Sequence, residues 1–222
     1  MMNLCKSMKL GLFLAALLLA ASLPAQTFTR YEAQPPGSGT KVKIDGDSTV
    51  HKWTMEGSII GGYLELDSAA QLDSAQATPP GLKPGKISGR AVVSIPIRSI
   101  KSGKTKMDSV MQEAMKQPVH PKIEYRLTQL SLKDAPRAAG APFQFDSQGE
   151  LSMSGKTNKI SLPVTIDRVD KSKLKITGSI PLKMTSYGIT PPAPSILGVA
   201  PFKTDDNVAI NFEWVVGQAE AK

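Results

Sequence analysis

Alternation with a period of two residues runs through most of the chain beyond Tyr31 and limits the fold more than any other feature. Side chains of an extended strand point alternately to opposite sides, so apolar residues at every second position mark strands with one buried face. Ile87, Gly89, Ala91, Val93, Ile95 and Ile97 alternate with Lys86, Ser88, Arg90, Val92, Ser94 and Pro96. Ile160, Leu162, Val164 and Ile166 do the same, as do Leu174, Ile176, Gly178, Ile180, Leu182 and Met184. Phe143, Phe145, Leu151 and Met153 share one phase, and Val208, Ile210, Phe212, Trp214 and Val216 close the series. Upstream, Thr49, His51, Trp53 and Met55 fall on one face, and Ile60, Leu64 and Leu66 follow a kink permitted by Gly61-Gly62.

Two segments depart from this pattern. Between Lys122 and Lys133, Ile123, Tyr125 and Leu127 have one parity and Leu130 and Leu132 the other, which calls for a bulge that inserts one residue and swaps the faces. Met107, Val110, Met111, Ala114 and Met115 recur at three- and four-residue intervals, between Ser102-Gly103 and Pro118. That spacing predicts one short amphipathic helix with a methionine-rich face. Long loops are expected over 67–85 and 186–206, both rich in proline. Long strands with one apolar face each suggest a sheet closed on itself, with a two-sheet sandwich as the alternative. Near eight strands, such a barrel is filled by side chains or holds one ligand. The small residues at inward positions, Gly89, Ala91, Gly149 and Gly178, favour open space inside or mark bends.

Lys6 and Lys9 precede an apolar run from Leu10 to Ala21 and then Ser22-Leu23-Pro24-Ala25, the pattern of a secretory signal peptide cleaved near Ala25. The expected location is the periplasm or the exterior. The only cysteine, Cys5, lies in that leader, so the remaining chain must be held by its core without disulfides. Of 27 Lys and Arg residues, Lys6 and Lys9 fall in the leader, which leaves 25 against 19 acidic residues. A positive surface suits an anionic head group or membrane face, while export argues against nucleic acid. The expected organisation is a signal peptide over 1–25, a lead-in over 26–39, one barrel domain over 40–217 and a tail over 218–222.

Gly46-Asp47-Ser48, with His51 three residues later, invites comparison with a serine hydrolase. That chemistry on an α/β fold requires alternating strands and helices and a late histidine. Here one helix is expected, and His120 sits mid-chain between Pro118 and Pro121. Ser48 and His51 are also an odd number of residues apart, so on one strand they face opposite ways. A turn beside a strand is the simpler reading, and no catalytic residue is assigned. Two histidines without a cysteine in the exported chain give no metal-ligand spacing, and no metal or cofactor is expected.

Several blocks, in order, resemble the YceI-like family of lipid- or polyisoprenoid-binding proteins. They are Ser48-Thr49-Val50-His51-Lys52-Trp53; Ser99-Ile100-Lys101-Ser102-Gly103 followed by Met107-Asp108; and Pro121-Lys122-Ile123. Leu151-Ser152-Met153-Ser154-Gly155-Lys156-Thr157 before Leu162-Pro163-Val164, then Met184 to Ile189 and Asp206 to Ile210, complete the set. The resemblance implies an all-β protein, an extended antiparallel eight-stranded lipocalin-like barrel with one short helix beside it. It also implies an exported binding protein, not an enzyme, whose apolar lumen holds a long prenyl chain, a quinone or a similar amphiphilic lipid.

On that basis the candidate lumen residues are the inward apolar ones of the alternating strands, especially Trp53, Met55, Leu64, Val93, Ile95, Phe145, Leu162, Ile176, Ile180 and Phe212. His51, Arg98, Lys101, Lys104 and Lys106 are candidates for receiving a head group at the mouth. Peripheral contact with a membrane and a homodimer are both compatible with the sequence. The competing reading is an exported structural or stress-related interaction module whose barrel is filled by its own side chains.

Overall fold

The structure, a computed structural model, describes residues 26–77, 79, 82–133, 138–193 and 203–220. The expected leader lies outside the described residues. Among them are eleven strands and one α-helix: β1 (Phe28–Ala33), β2 (Lys41–Ser48), β3 (Trp53–Gly57), β4 (Gly61–Asp67), β5 (Gly85–Ile87), β6 (Gly89–Pro96), α1 (Thr105–Ala114), β7 (Lys122–Leu132), β8 (Phe143–Met153), β9 (Lys156–Arg168), β10 (Lys173–Lys183) and β11 (Thr204–Gln218). All strand pairs are antiparallel. The order β1-β4-β6-β7-β8-β9-β10-β11 returns to β1 and closes an eight-stranded barrel.

The barrel, one helix and antiparallel order therefore agree with the sequence, and so does the bulge. Leu127 pairs with Gly149 and Gln129 with Gln148, which leaves Thr128 as the extra residue that swaps the faces of β7. The helix lies where the methionine spacing puts it. The stretch expected to be a lead-in is different, because it supplies β1, the strand that closes the barrel. Alternation is hard to read in six residues that include Arg30 and Glu32, so the sequence offers little signal there. Those charges work on the outside of the seam. Arg30 donates to Glu65 at 2.9 Å and stacks over the Tyr63 ring at 3.8 Å, both on β4.

Closure depends on one edge of β11 being shared. Its first part pairs with β2, from Thr204 opposite Ser48 to Glu213 opposite Lys41. Its last part pairs with β1, from Val216 opposite Ala33 to Gln218 opposite Tyr31. At the fork Val215 has no strand partner on that side. Its N–H donates to the Thr40 hydroxyl at 3.0 Å, and its carbonyl accepts from the Gln34 N–H at 3.1 Å. Thr40 is 4% exposed, so its side chain satisfies a backbone donor that water cannot reach.

The fork also makes the two ends of the barrel unlike. At one end β1 completes the wall. At the other, β2 and β3 are spliced between β11 and the continuation of β6, where Glu56 and Lys101 exchange backbone hydrogen bonds at 2.8 and 2.7 Å. The spliced end is the wide end in that it encloses the larger cavity, about 410 Å³. The narrow end is sealed by the long loop after β4, whose Leu72 is buried in the core and whose Leu72 carbonyl accepts from Arg168 Nε at 2.7 Å.

Two inward glycines hold aromatic rings instead of opening space. A Cβ at Gly178 would lie 2.7 Å from the ring of its cross-strand partner Phe212, and one at Gly149 would lie 2.4 Å from the Tyr125 ring. Thr40→Val keeps the shape of the fork but leaves the Val215 N–H buried without an acceptor. It is expected to lower stability by about 1–3 kcal/mol, measured by urea unfolding.

Candidate functional site

At the wide end, α1 lies across the barrel as a lid fastened at its two ends. Near its start, Asp108 accepts from the Ser102 N–H and from the Ser102 hydroxyl, both at 2.7 Å, with Lys101 Nζ 3.7 Å away. These contacts, the backbone N–H first, hold the Asp108 carboxyl below the ordinary carboxylate range. At the other end, the Ser154 hydroxyl donates to the Met115 carbonyl at 3.0 Å. Ser154 and Gly155 form the β8–β9 turn with positive φ at both positions, 51° and 81°, the pairing that suits a tight hairpin. The ring of His120 covers Gly155, where a Cβ would meet Nε2 at 2.6 Å, so this histidine packs on the turn that carries Ser154.

Beneath the lid is a vestibule of about 410 Å³. Its wall is almost wholly apolar and draws on α1, β3, the start of β11 and the turn Met184–Tyr187. Deeper in the barrel lies a second cavity of about 130 Å³, lined by Ile, Leu and Val with Tyr125, Phe212 and Trp214. Ile44, Ile123 and Ile210 line both, so one apolar wall runs from the lid to the barrel centre. Of the polar side chains that line the deep cavity, Tyr125 and Ser147 are bonded locally, while the Trp214 indole N–H is buried without a partner among the described residues. Tyr125 OH donates to Ser147 Oγ at 3.2 Å, and Ser147 Oγ–H donates to the Leu162 carbonyl at 2.7 Å. Burial raises the Tyr125 phenol above its ordinary pKa, so it stays neutral.

The rim is positive. Lys104, Lys106 and Lys183 line the vestibule together with His51, and among the described residues no carboxylate lines it. Asp206 is close by, but it is bound to Thr185, accepting from the hydroxyl at 2.7 Å and the N–H at 2.8 Å, which keeps its pKa low.

The Gly46-Asp47-Ser48 stretch ends β2, and residues 49–52 turn the chain into β3. Ser48 Oγ donates to the His51 carbonyl at 2.8 Å and accepts from the His51 N–H at 3.2 Å. Both contacts reach the His51 backbone, so the hydroxyl shapes the turn. Gly46 is required because the Trp53 indole lies against it, with Cζ2 2.1 Å from where a Cβ would stand. The indole Nε1–H then donates to the Asp47 carbonyl at 3.1 Å. Among the described residues, no group of three or more His, Cys, Asp or Glu is placed to hold a metal ion.

A family model for the YceI-like domain matches residues 31–216, nearly the whole barrel. The chain belongs to the YceI-like domain family. Among solved structures, a polyisoprenoid binding domain from Saccharophagus degradans, implicated in plant cell wall breakdown, is similar with a TM-score of 0.59 at 11% identity, covering 87% of this chain and 100% of that one. BcnA from Burkholderia cenocepacia is similar with a TM-score of 0.56 at 15% identity, covering 79% and 95%. At these identities the likeness is one of fold. No curated protein matches the sequence.

Within this YceI-like barrel the expected lumen residues divide between the two spaces. Leu64, Val93, Ile95, Leu162, Ile176, Ile180 and Phe212 line the deep cavity, and Trp53 and Met55 line the vestibule. Phe145 is buried in the core and lines neither. Of the expected head-group residues, His51, Lys104 and Lys106 reach the vestibule. Arg98 sits in the turn Ile97–Ser99 and Lys101 beside Asp108, and neither lines it. Lys183 at the vestibule is not among the expected residues, whereas Met153 and Met184 there, and Tyr125 and Trp214 in the deep cavity, belong to the inward sets that the alternation names without being singled out.

The Asp108 anchor has a pH signature. Its folded-state pKa is depressed, so the stability it contributes is present above the unfolded value near 3.9 and is lost as pH falls through the lower folded value. Asp108→Asn is expected to cost about 1–2 kcal/mol at neutral pH. The gap in thermal stability between wild type and variant is expected to close as the pH falls below about 4.

Proposed function

We propose that this YceI-like protein is an exported carrier that binds a long-chain isoprenoid or a similar amphiphilic lipid, with the tail in the barrel and the head group at the lysine-rich rim. The observation that carries this reading is the vestibule of about 410 Å³ whose apolar wall continues into the barrel centre. Binding sites for small molecules commonly span about 300–1,000 Å³ and are mostly apolar with few polar groups. The vestibule meets both conditions.

Energetics favour a tail-driven ligand. Burying one CH₂-sized group contributes about 0.8 kcal/mol, so a five-carbon isoprene unit contributes about 3–4 kcal/mol before ordering costs. A charged hydrogen bond is worth about 1.5–3 kcal/mol, less than one unit of chain. The tail sets affinity, and Lys104, Lys106, Lys183 and His51 tune the choice of head group toward anionic or polar acceptors. Nothing in the reading requires catalysis, since Ser48 and His120 are engaged in turn geometry. The basic leader and its apolar run support export. The resemblance of the fold to a polyisoprenoid binding domain supports the ligand class.

The small size of the deep cavity, about 130 Å³, favours a second reading in which the barrel centre is filled by its own side chains. The two tryptophans separate the readings, because Trp53 lines the vestibule and Trp214 the deep cavity. With Trp53→Phe and Trp214→Phe as single-tryptophan reporters, titration with geranylgeraniol is expected to give a saturable fluorescence change at both sites. A response at Trp53 alone would confine the ligand to the vestibule, and silence at both would overturn the carrier reading.

A further inference from the structure

Six of the nine methionines follow residue 26: Met55, Met107, Met111, Met115, Met153 and Met184. All six line the vestibule, and none lines the deep cavity. Packing does not demand that segregation. Leucine matches methionine closely in volume and helix propensity, and the deep cavity is built without a single thioether.

Exposure divides the six further. Met55, Met115 and Met153 are buried at 2%, 7% and 6%, whereas Met107, Met111 and Met184 are only partly buried. Met107 and Met111 stand four residues apart on α1, one above the other on the face over the vestibule. Met184 opens the turn Met184–Tyr187, which also lines the vestibule, beside Lys183.

We infer that Met107, Met111 and Met184 form an oxidation site for peroxides that loosens the lid and weakens the hold on the ligand. In the reaction the thioether sulfur attacks one peroxide oxygen. An S–O bond forms and the O–O bond breaks, and the departing hydroxide takes the proton of the hydroxyl now on sulfur, which leaves the sulfoxide and water. Sulfur loses two electrons and the peroxide gains them. The product sulfoxide is polar and is returned to the thioether by methionine sulfoxide reductases. Where that oxygen on Met107 or Met111 meets the apolar wall it has no donor, so α1 lifts to hydrate it, whereas at Met184 the neighbouring Lys183 is a donor at the rim. The lid permits this motion because the contacts that fasten it, at Asp108 and at the Met115 carbonyl, lie toward its two ends. The effect on ligand release rests on the carrier reading above, while the oxidation site does not.

The test treats the mature protein with limiting hydrogen peroxide and follows three readouts: sulfoxide at each methionine by peptide mass mapping, amide hydrogen exchange across Thr105–Ala114, and affinity for geranylgeraniol. The expected result is oxidation of Met107, Met111 and Met184 before the other three, with faster exchange in α1. Affinity is expected to fall by about tenfold or more, the cost of desolvating one polar oxygen, and to recover with sulfoxide reductase. For Met107→Leu/Met111→Leu/Met184→Leu, the ratio of affinities before and after peroxide is expected to approach one, whatever its starting affinity. Met111→Leu alone serves if the triple variant does not fold, with a ratio between those of the triple variant and wild type. Uniform oxidation of all six, or selective oxidation that leaves exchange in α1 unchanged, would overturn the inference. If untreated protein binds no geranylgeraniol, the carrier reading fails, and the oxidation pattern with the exchange data still decides the modification site.

Discussion

Every feature of this molecule that bears on function follows from the division of one edge of β11 between two partners. A strand edge must have its N–H and C=O groups paired wherever water is excluded. β11 meets that requirement with β2 over its first part and β1 over its last, and Thr40 supplies the hydroxyl that bridges the fork. The consequence is a barrel with two unlike ends and a larger cavity at one of them. Where β1 closes it, side chains pack tightly and the loop carrying Leu72 seals the end. Where β2 and β3 are spliced in, the wall is longer and a vestibule opens beneath α1.

The lid illustrates how modest contacts place a functional element. α1 has ten residues, too few for a helix to persist on its own in water. Its position is set by Asp108, in its first turn, which accepts from Ser102 on the loop before it, and by Ser154 on the β8–β9 turn, which donates to Met115 at its end. Ser154 adopts a left-handed conformation that a side chain ordinarily avoids, and the hydrogen bond to Met115 accounts for a serine there. Flexible methionine side chains fill the remaining contact and can adapt to more than one occupant.

How much of this could be read from the sequence depended on whether the signal was periodic. Long strands such as β9 and β10 repeat their alternation often enough to fix their faces, and the parity change inside β7 located the Thr128 bulge. The helix declared itself through Met107, Met111 and Met115. β1 did not, because it is short and its charged residues serve the outer seam with Glu65 and Tyr63. Residues 49–52 read as strand, yet Ser48 turns the chain there through contacts with the His51 backbone. Gly149 and Gly178 read as open space or as bends, although each carries an aromatic ring from a neighbouring strand. Parity names the inward face but not which inward residues border empty volume, so Phe145 and Phe212 look alike in sequence and only Phe212 lines a cavity.

The central claim is that the vestibule and barrel hold a long apolar chain. Native mass spectrometry of the protein purified from its expression host, followed by organic extraction of any bound species, addresses it most directly. The account predicts a noncovalent adduct of defined mass that extracts as a long-chain amphiphile. A protein that emerges empty, and stays empty when offered prenols and prenyl phosphates, would contradict it and leave a barrel filled by its own side chains.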